Sequence, residues 1–351
     1  MDKVVDLYLN QVSTRKKWKS FLETKGIHNF SDREIDVIDH TLGLIDDEGN
    51  LVATGSIAGN VLKYIAVSND EVIAGARFNK IVSSLQQYLF SNQIFHCFVF
   101  TKAKYSSSFK HLGFKELALS EQAAFLEYGD PNIEDYLNNL PQVHDQKNKK
   151  VAAVVMNANP FTLGHRYLVE KASNENDLVY VFVVKEDLSL FSTAERMKLV
   201  KEGTQDLSNV EVVSGEEYMV SSATFPAYFL KSAAELIDVQ TTIDAKVFKN
   251  FVAPKLNIKS RYLGEEPFSR TTNSYNKKLQ EILSPEVKVI IIPRLREKDK
   301  IVNATEVRKY IKTGSLDKIE AFLPKTTYDF IKNNLLELQD RIKKGTNING
   351  N

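Results

Sequence analysis

A two-domain α/β protein is expected, with a mixed, largely antiparallel sheet and helices in its N-terminal part and a doubly wound parallel sheet in its C-terminal part. The chain has 351 residues, which exceeds the usual size of one domain. Short apolar strands joined by tight turns follow residue 40, whereas beyond residue 150 strands alternate with helices. Such alternation requires right-handed crossovers and places helices on both faces of a parallel sheet.

Composition and charge exclude several classes of function. Apolar residues make up 43% and charged residues 26% of the chain, and the formal net charge is +1. These values are ordinary for a globular protein, so neither nucleic acid nor membrane is an expected partner. The start, MDKVVDLYLN, lacks the pattern of a signal peptide, and no stretch approaches the roughly 20 apolar residues that span a bilayer, so we expect a cytoplasmic protein. Cys97 is the only cysteine, which excludes an internal disulfide and Cys-rich zinc sites.

The N-terminal domain is predicted over residues 1–130. It begins with a polar helical segment and continues from Thr41 as an antiparallel meander. A helix over Ala74–Asn92 follows, because its apolar residues fall on one helical face that can pack on the sheet. The elements predicted after it are the strand Ile94–Thr101, the helix Lys104–Leu112 and the strands Lys115–Leu119 and Ala123–Glu127.

Residues 131–150, rich in Asn, Asp and Pro, are predicted to form a linker, and residues 343–351, KKGTNINGN, a disordered tail. The second domain then covers residues 151–342. Its predicted strands are Val151–Met156, Leu178–Val184, Val210–Val213, Arg261–Gly264 and Val287–Ile292. Its predicted helices are Leu163–Ser173, Thr193–Glu202, Thr224–Leu236, Ala245–Leu256, Asn273–Ile282 and those from Thr305 onward. Ligands of such sheets bind at the carboxyl ends of the strands.

The stretch Val151–Glu170, VAAVVMNANPFTLGHRYLVE, predicts a strand, a phosphate loop and a helix. The apolar strand stops at the turn 157–160. Thr162 can cap the helix that follows, and Gly164 lets a ligand approach the first turn without meeting a side chain. Free N–H groups and the positive end of the helix dipole make such a turn an anion site, to which the imidazole N–H of His165 adds a directed donor.

A second stretch, Ile301–Arg308 (IVNATEVR), follows the last strand at the same edge of the sheet. Thr305 can cap a helix there. The Thr-x-Gly-His motif ending at His165 and the Thr-x-x-Arg motif ending at Arg308 resemble the two signatures of the nucleotidyltransferase superfamily. The resemblance implies that a nucleoside triphosphate is held so that a second substrate attacks its α-phosphate.

Further candidates follow the other strands. Lys185 ends the second strand, beside the first, and is predicted to contact phosphate. Arg196 follows the capping box Ser192–Glu195 and is predicted to bind either a phosphate or a carboxylate. Gly264 and Glu266 come after the fourth strand, where nucleotidyltransferases place a loop that contacts adenine.

The N-terminal order of elements, closed by YSSSFKHLGFKEL from Tyr105 to Leu117, resembles the acyl-CoA N-acyltransferase fold. That family holds the CoA pyrophosphate on a Gln/Arg-x-x-Gly-x-Gly/Ala loop before a helix. In NDEVIAGARF, aligned on Gly75, Val72 and Arg77 replace two of the loop residues. We therefore predict a docking or scaffold role for this domain rather than transfer from acetyl-CoA.

Five motifs and the domain order resemble the citrate lyase ligases across nearly the whole chain, namely MNANPFTLGHRYLVE, VVKED, GEEYMVSSATFP, LGEEPF and ATEVR. The resemblance implies that ATP and acetate form acetyl-adenylate and diphosphate, after which acetyl passes to the thiol prosthetic group on the citrate lyase acyl carrier protein. It implies that His165, Thr162 and Arg308 are catalytic. The ATP-binding residues expected in all are Asn157, Asn159, Pro160, Phe161, Thr162, Gly164, His165, Lys185, Arg196, Gly264, Glu266, Thr305 and Arg308.

Mg²⁺ is expected to assist on the phosphates. Because the sequence shows no cluster of Asp and Glu that marks an all-protein metal site, we expect substrate oxygens and water to hold the ion. Two other interpretations stay open. An adenylyltransferase acting on a phosphorylated metabolite of the pantetheine or nicotinamide nucleotide type shares both signatures but would need a second phosphate site. A catalytically inactive scaffold is the other, although both signatures are intact.

Overall fold

The computed structural model describes all residues except 1, 29, 31–34, 69–70, 186–188, 220–227, 229, 231, 266–269, 298–299 and 349–351. The chain forms two compact units. Unit 1 comprises residues 1–138 and 226–239, and unit 2 comprises residues 139–225 and 240–351. The segment 226–239 therefore belongs to unit 1, although it lies inside the sequence of unit 2.

Unit 1 is built on a seven-stranded sheet with the order β1-β2-β3-β4-β5-β7-β6. Its strands are β1 (Lys3–Asp6), β2 (His40–Ile45), β3 (Leu51–Ala58), β4 (Val61–Val67), β5 (His96–Lys102), β6 (Lys115–Leu119) and β7 (Ala123–Gly129). Its helices are α1 (Val12–Thr24), α2 (Glu71–Ser91), α3 (Ser106–His111) and α4 (Ile133–Asn139). Neighbouring strands are antiparallel except β4 and β5, which are parallel, so the predicted mixed sheet is confirmed.

The helix α2 packs on this sheet through the face that its sequence predicts. Ile81, Val82, Leu85 and Leu89 are buried in one core with side chains of β2, β3 and β5. Arg77, on the same helix, donates hydrogen bonds to the carboxylate of Asp2 and to the hydroxyl of Ser68. Arg77, which lies in the altered loop motif, therefore binds Asp2 near the N-terminus.

Strands β4 and β5 pair over a short distance and then separate. Their ladder joins Val61 to Phe98 and Leu62 to Val99. Beyond it β4 carries an extra residue relative to β3, and Tyr64 there has a φ of +52°. Such a bulge bends the strand. A cavity of about 770 Å³ opens where the two strands part, and it is lined by apolar side chains together with polar ones that include Lys25, Lys102 and Lys104.

Unit 2 contains a five-stranded parallel sheet with the order β10-β9-β8-β11-β12. The strands are β8 (Val151–Met156), β9 (Leu178–Val183), β10 (Val210–Ser214), β11 (Ile258–Gly264) and β12 (Lys288–Ile292), and a short hairpin joins β13 (Arg296–Glu297) to β14 (Lys300–Ile301). The helices after α4 are α5 (Leu163–Glu175), α6 (Thr193–Gly203), α7 (Ala233–Val247), α8 (Ala253–Leu256), α9 (Arg270–Leu283), α10 (Ala304–Thr313), α11 (Lys325–Asn333) and α12 (Leu335–Lys343). Residues 233–239 of α7 are assigned to unit 1. The predicted doubly wound sheet is confirmed, with β8 at its centre.

Two helices predicted for this unit differ in the structure. Residues 220–227 lie outside the described part, so the predicted start at Thr224 falls there. The described helix runs unbroken from Ala233 to Val247 and continues as a π-helical turn over Phe248–Val252. The predicted break before Ala245 is therefore wrong, because Thr241, Thr242 and Asp244, which read as turn residues, are buried helix residues.

Residues 343–348, the described part of the predicted disordered tail, make contacts with the rest of unit 2. α12 ends at Lys343, and the N–H of Thr346 donates to the carbonyl of Arg341. Ile348 is only 7% exposed and belongs to the core of unit 2. One apolar residue in a polar segment supplies the contact that composition does not reveal. Residues 349–351 lie outside the described part.

The predicted linker 131–150 also contains packed structure. Ile133 in α4 is buried, and the side-chain amide of Gln146 donates to the carbonyl of Leu256. Among the helices formed by described residues, none combines the length and the apolar character needed to cross a membrane.

Candidate active site

The site is built around the turn that joins β8, at the centre of the parallel sheet, to α5. Ala158 has a φ of +53°, and the peptide bond between Asn159 and Pro160 is cis. α5 begins at Leu163, and Thr162 is its N-cap, so both predictions from the sequence are confirmed. A capped helix start at the carboxyl end of a central strand presents free N–H groups to an anion.

His165 completes the cap of α5. The hydroxyl oxygen of Thr162 accepts from the His165 N–H at 3.4 Å, and the Thr162 N–H donates to Nδ1 of His165 at 3.1 Å. A backbone N–H can only donate, so Nδ1 is the acceptor and the ring proton is assigned to Nε2. The Thr162 hydroxyl, 2.9 Å from Nδ1, supports the same assignment. His165 is thus assigned as a neutral imidazole that carries its ring proton on Nε2.

The surroundings of His165 favour this neutral form. Burial, followed by the positive charges of Arg294 and Arg308, lowers its pKa to about 4. A histidine with this pKa carries no charge at physiological pH, so it acts as a hydrogen-bond donor and not as a cation.

We expect the rate of the predicted first step, the formation of acetyl-adenylate, to show no inflection from the titration of His165 between pH 5 and pH 8. Its signals in a two-dimensional NMR titration of the imidazole should move near pH 4, whereas an unperturbed histidine titrates near about 6.5. The unfolded chain binds the proton below about pH 6.5 and the folded chain does not until about pH 4, so this group lowers stability as the pH falls through that window. An inflection of the His165 signals between pH 6 and pH 7 would contradict the proposed tautomer and burial.

Arg308 does not contact solvent, and its donors bind protein atoms. Its guanidinium donates to the carbonyl oxygen of Asn159 at 2.5 Å, to that of Ile348 at 3.1 Å and to the Thr305 hydroxyl at 3.0 Å. The side chain is 0% exposed. In the structure the Asn159 carbonyl thus takes a donor that the sequence assigns to ATP, and the contact of Arg308 with phosphate stays a prediction.

Arg196 is buried in the same way. Its guanidinium donates to the carbonyl oxygens of Asn157 at 2.9 Å and Val184 at 2.7 Å, and Nε donates to that of Phe191 at 3.1 Å. The side chain is 0% exposed. It therefore binds loop carbonyls, and its contact with a phosphate or a carboxylate stays a prediction. The predicted capping box of α6 is confirmed, with Ser192 as N-cap and Glu195 at its third position.

Other predicted loop residues are also packed inward. The Phe161 ring is 0% exposed, and a methyl group on Gly203 would lie 2.5 Å from it, so the aromatic side chain belongs to the core. Its contact with ATP stays a prediction. Pro160 is buried, and the Asn159 side chain accepts from the Phe191 N–H. Asn157 is part-exposed and exchanges hydrogen bonds with Ser189.

Lys185 lies at the sheet edge, as predicted, but in an ion pair. Its Nζ is 2.8 Å from a carboxylate oxygen of Glu217 and 3.2 Å from one of Glu216. Burial lowers the Lys185 pKa, but the hydrogen bonds and charges of the two glutamates outweigh it, so the pKa is raised. The ammonium stays charged, and its contact with phosphate stays a prediction.

The helix of the second signature has a different N-cap residue from the one predicted. Asn303, not Thr305, caps α10, because its side-chain oxygen accepts from the Thr305 N–H at 2.8 Å. The sequence held this signal, since Asn303 and Glu306 have the spacing of a capping box. Thr305 instead accepts from Arg308. Gly264 ends β11, and Glu266 lies outside the described residues.

A methyl group at Gly164 would meet Thr162 Oγ1 and the Val302 carbonyl oxygen at 3.6 Å, which are ordinary contacts. Protein packing does not require glycine there, so the close approach of a ligand stays a prediction. Within the described part of the chain, no group of three or more His, Cys, Asp or Glu side chains could hold a metal ion.

The capped helix start after a central parallel strand, the neutral histidine in its first turn and the acetyltransferase-like sheet of unit 1 define a two-unit protein with a nucleotide-binding unit of the nucleotidyltransferase type. A family model described as the citrate lyase ligase C-terminal domain matches residues 151–331. The chain belongs to the citrate lyase ligase family.

Relatives match almost the whole chain. The [Citrate [pro-3S]-lyase] ligase of Escherichia coli (strain K12) is 32% identical over 341 residues, which cover 94% of this chain and 96% of the relative. The protein of the same name from Klebsiella pneumoniae is 35% identical and covers 80% of this chain and 83% of the relative. The solved N-acetyltransferase from Staphylococcus aureus Mu50 is 15% identical with a TM-score of 0.31, and covers 38% of this chain and 99% of its own.

Proposed function

We infer that the chain is an ATP-dependent acid–thiol ligase that acetylates the thiol prosthetic group on the citrate lyase acyl carrier protein. The observation that carries this function is the match to named [Citrate [pro-3S]-lyase] ligases over 94% of the chain. An oxygen of acetate attacks the α-phosphorus of ATP, the bond to the β-phosphate oxygen breaks, and diphosphate leaves. The thiol sulfur then attacks the carbonyl carbon of acetyl-adenylate, and AMP leaves.

The chemistry of the first step fits the site. Acetate is already an anion, so its attack needs no general base. The task of the protein is to stabilise charge that grows on the phosphates, and donors aimed at such charge are typically worth several kcal/mol. The Nε2–H of His165 and the first N–H groups of α5 are the donors that we assign to this task.

Mg²⁺ is part of this proposal as an ion bound to ATP. Mg²⁺ usually keeps several waters and binds through substrate phosphates with one or two carboxylates. The ion would neutralise phosphate charge, and no step here depends on its position.

The test is an acyl-hydroxamate assay. The full chain is incubated with ATP, acetate and hydroxylamine, and acetyl-hydroxamate and diphosphate are measured. Addition of the citrate lyase acyl carrier protein should then give an acetyl thioester and AMP. Diphosphate release that requires a phosphorylated metabolite instead of acetate would favour an adenylyltransferase, which the relatives do not favour. The cytoplasmic location and the absence of nucleic acid as a partner stay predictions.

For unit 1 we propose that the cavity between β4 and β5 receives the thiol arm of the carrier. Its apolar lining can contact an extended apolar chain, and the lysines in the lining can bind phosphate groups on that arm. A role in presenting the thiol also agrees with the altered loop at Val72 and Arg77, the second of which binds Asp2.

Reversing two charges at this cavity should weaken the second step only. The double variant Lys102→Glu, Lys104→Glu is expected to raise the KM for the carrier about tenfold or more, because like charges repel the arm. Hydroxamate formation from acetate should stay at the parent rate. The matched control is Lys325→Glu, Lys332→Glu on α11, which reverses two exposed lysines in unit 2. An unchanged KM for the carrier, or an equal rise in the control, would rule out this use of the cavity.

A further inference from the structure

Two arginine side chains lie behind the loop between β8 and α5. Arg196 donates to the carbonyl of Asn157, and Arg308 donates to the carbonyl of Asn159. The two arginines come from different helices, α6 and α10, and both are 0% exposed. Each guanidinium therefore holds one carbonyl of the phosphate loop from the protein interior.

Each arginine also ties the loop to a second part of unit 2. Arg196 joins Asn157, which follows β8, to Val184, which follows the neighbouring strand β9. It thereby links the ends of two adjacent strands. Arg196 also donates to the carbonyl of Phe191 and to the Thr193 hydroxyl, just before and at the start of α6.

Arg308 links the loop to the last described turn of the chain. Its Nε donates to the carbonyl of Ile348, whose side chain is packed in the core. Its other η nitrogen donates to the Thr305 hydroxyl. The tail and the second signature thus fix the direction of one guanidinium.

Fixing the carbonyls fixes the peptide planes of the loop. In a trans peptide the N–H points away from the preceding C=O. Because the Asn157 carbonyl points at Arg196, the N–H of Ala158 points away from it. The loop leads into Thr162 and His165, so its position sets where the donors of α5 lie relative to the α-phosphate. The positive charge of Arg308 also acts on His165, because it helps to lower the pKa of that imidazole.

We propose that Arg196 and Arg308 are positioning residues for adenylation, which act through the carbonyls of Asn157 and Asn159 and do not bind phosphate. This inference rests on the proposed function, because it concerns the step between ATP and acetate. It differs from a direct phosphate contact in what it predicts for turnover and for affinity.

The test uses the full-length variants Arg196→Lys and Arg308→Lys in the hydroxamate assay. A lysine has one point-like ammonium and cannot keep the planar set of bonds that arginine makes. A misplacement of about 1 Å can cost up to about a hundredfold in rate. We expect kcat to fall about tenfold to a hundredfold, with the KM for ATP little changed. A large rise in the KM for ATP at parental kcat would show direct binding of phosphate and overturn the proposal, as would parental values of both constants.

Arg261→Lys is the matched control. Arg261 is 1% exposed in the same unit but binds Asp244 rather than the loop. The variant Arg261→Lys should lower thermal stability, whereas the kcat of the folded variant should stay near that of the parent. An equal loss of kcat in this control would attribute the effect to loss of a buried arginine in general and overturn the proposal.

A second measurement does not depend on activity. In Arg308→Met the NMR pKa of His165 should rise, because a nearby positive charge is removed. An unchanged pKa in a folded Arg308→Met would overturn the coupling of Arg308 to His165. If the parent itself makes no hydroxamate, the proposed function fails, and this titration still decides whether Arg308 acts on His165.

Discussion

Replacing His165 by alanine is expected to lower the turnover of acetyl-adenylate formation by about a hundredfold or more. The reason is the loss of the Nε2–H, which is the neutral ring donor because Nδ1 accepts from the Thr162 N–H. Thermal unfolding should change little, since Thr162 still caps the helix through the His165 N–H. Turnover of acetate and ATP in the hydroxamate assay measures the effect.

Two variants sharpen this test. His165→Asn keeps an acceptor for the Thr162 N–H and an amide donor, so it should retain more turnover than His165→Ala. His144→Ala removes an exposed histidine away from the site and should behave as the parent. Turnover of His165→Ala within a few-fold of the parent would show that His165 serves the helix cap alone.

The variant Asp244→Ala is expected to lower the free energy of unfolding by about 3–5 kcal/mol, because it leaves the charge of Arg261 buried without its partner. Arg261 lies in β11 and its Nη2 is 3.0 Å from the Asp244 carboxylate, with side chains 1% and 3% exposed. The hydroxyl of Tyr275 lies 3.4 Å from the same carboxylate oxygen, and the Phe248 ring lies 4.7 Å from the guanidinium carbon. Chemical denaturation of the full chain gives the measurement.

Asp206→Ala is the control for Asp244→Ala. It breaks the Arg166–Asp206 pair in the same unit, whose side chains are 25% and 58% exposed. Solvent screens that pair, so the loss should be at most about 1 kcal/mol. Equal losses in the two variants would show that burial does not set the strength of these ion pairs.

The strands and the start of the phosphate helix could be predicted because their causes are local. The two central strands β8 and β9 are uninterrupted apolar runs that are buried along almost their whole length. The caps at Thr162 and Ser192 involve residues three positions apart. Contacts of this range are encoded within a single turn of the chain.

Errors arose where a local signal was weak or a rival signal was missed. Asn303 caps α10 in place of Thr305, although the capping-box spacing was present. The segment 343–351 has the composition of a disordered tail, yet the side chain of Ile348 packs in the core of unit 2. Composition averages over a segment, whereas the contact of Ile348 depends on one side chain.

The residues of the phosphate loop were identified from sequence, but the task of each side chain was not. Arg308 and the carbonyl that it binds are 149 residues apart in the chain, and Arg196 and its loop carbonyl are 39 apart. An arginine near a helix start has the same local pattern whether it faces a ligand or the interior. Its direction depends on which backbone carbonyls the folded sheet brings within reach and on whether water is excluded there. Local sequence therefore specified the strands, the loop and the cap at Thr162, while long-range packing lowered the pKa of His165 and directed both arginines to carbonyls of the loop.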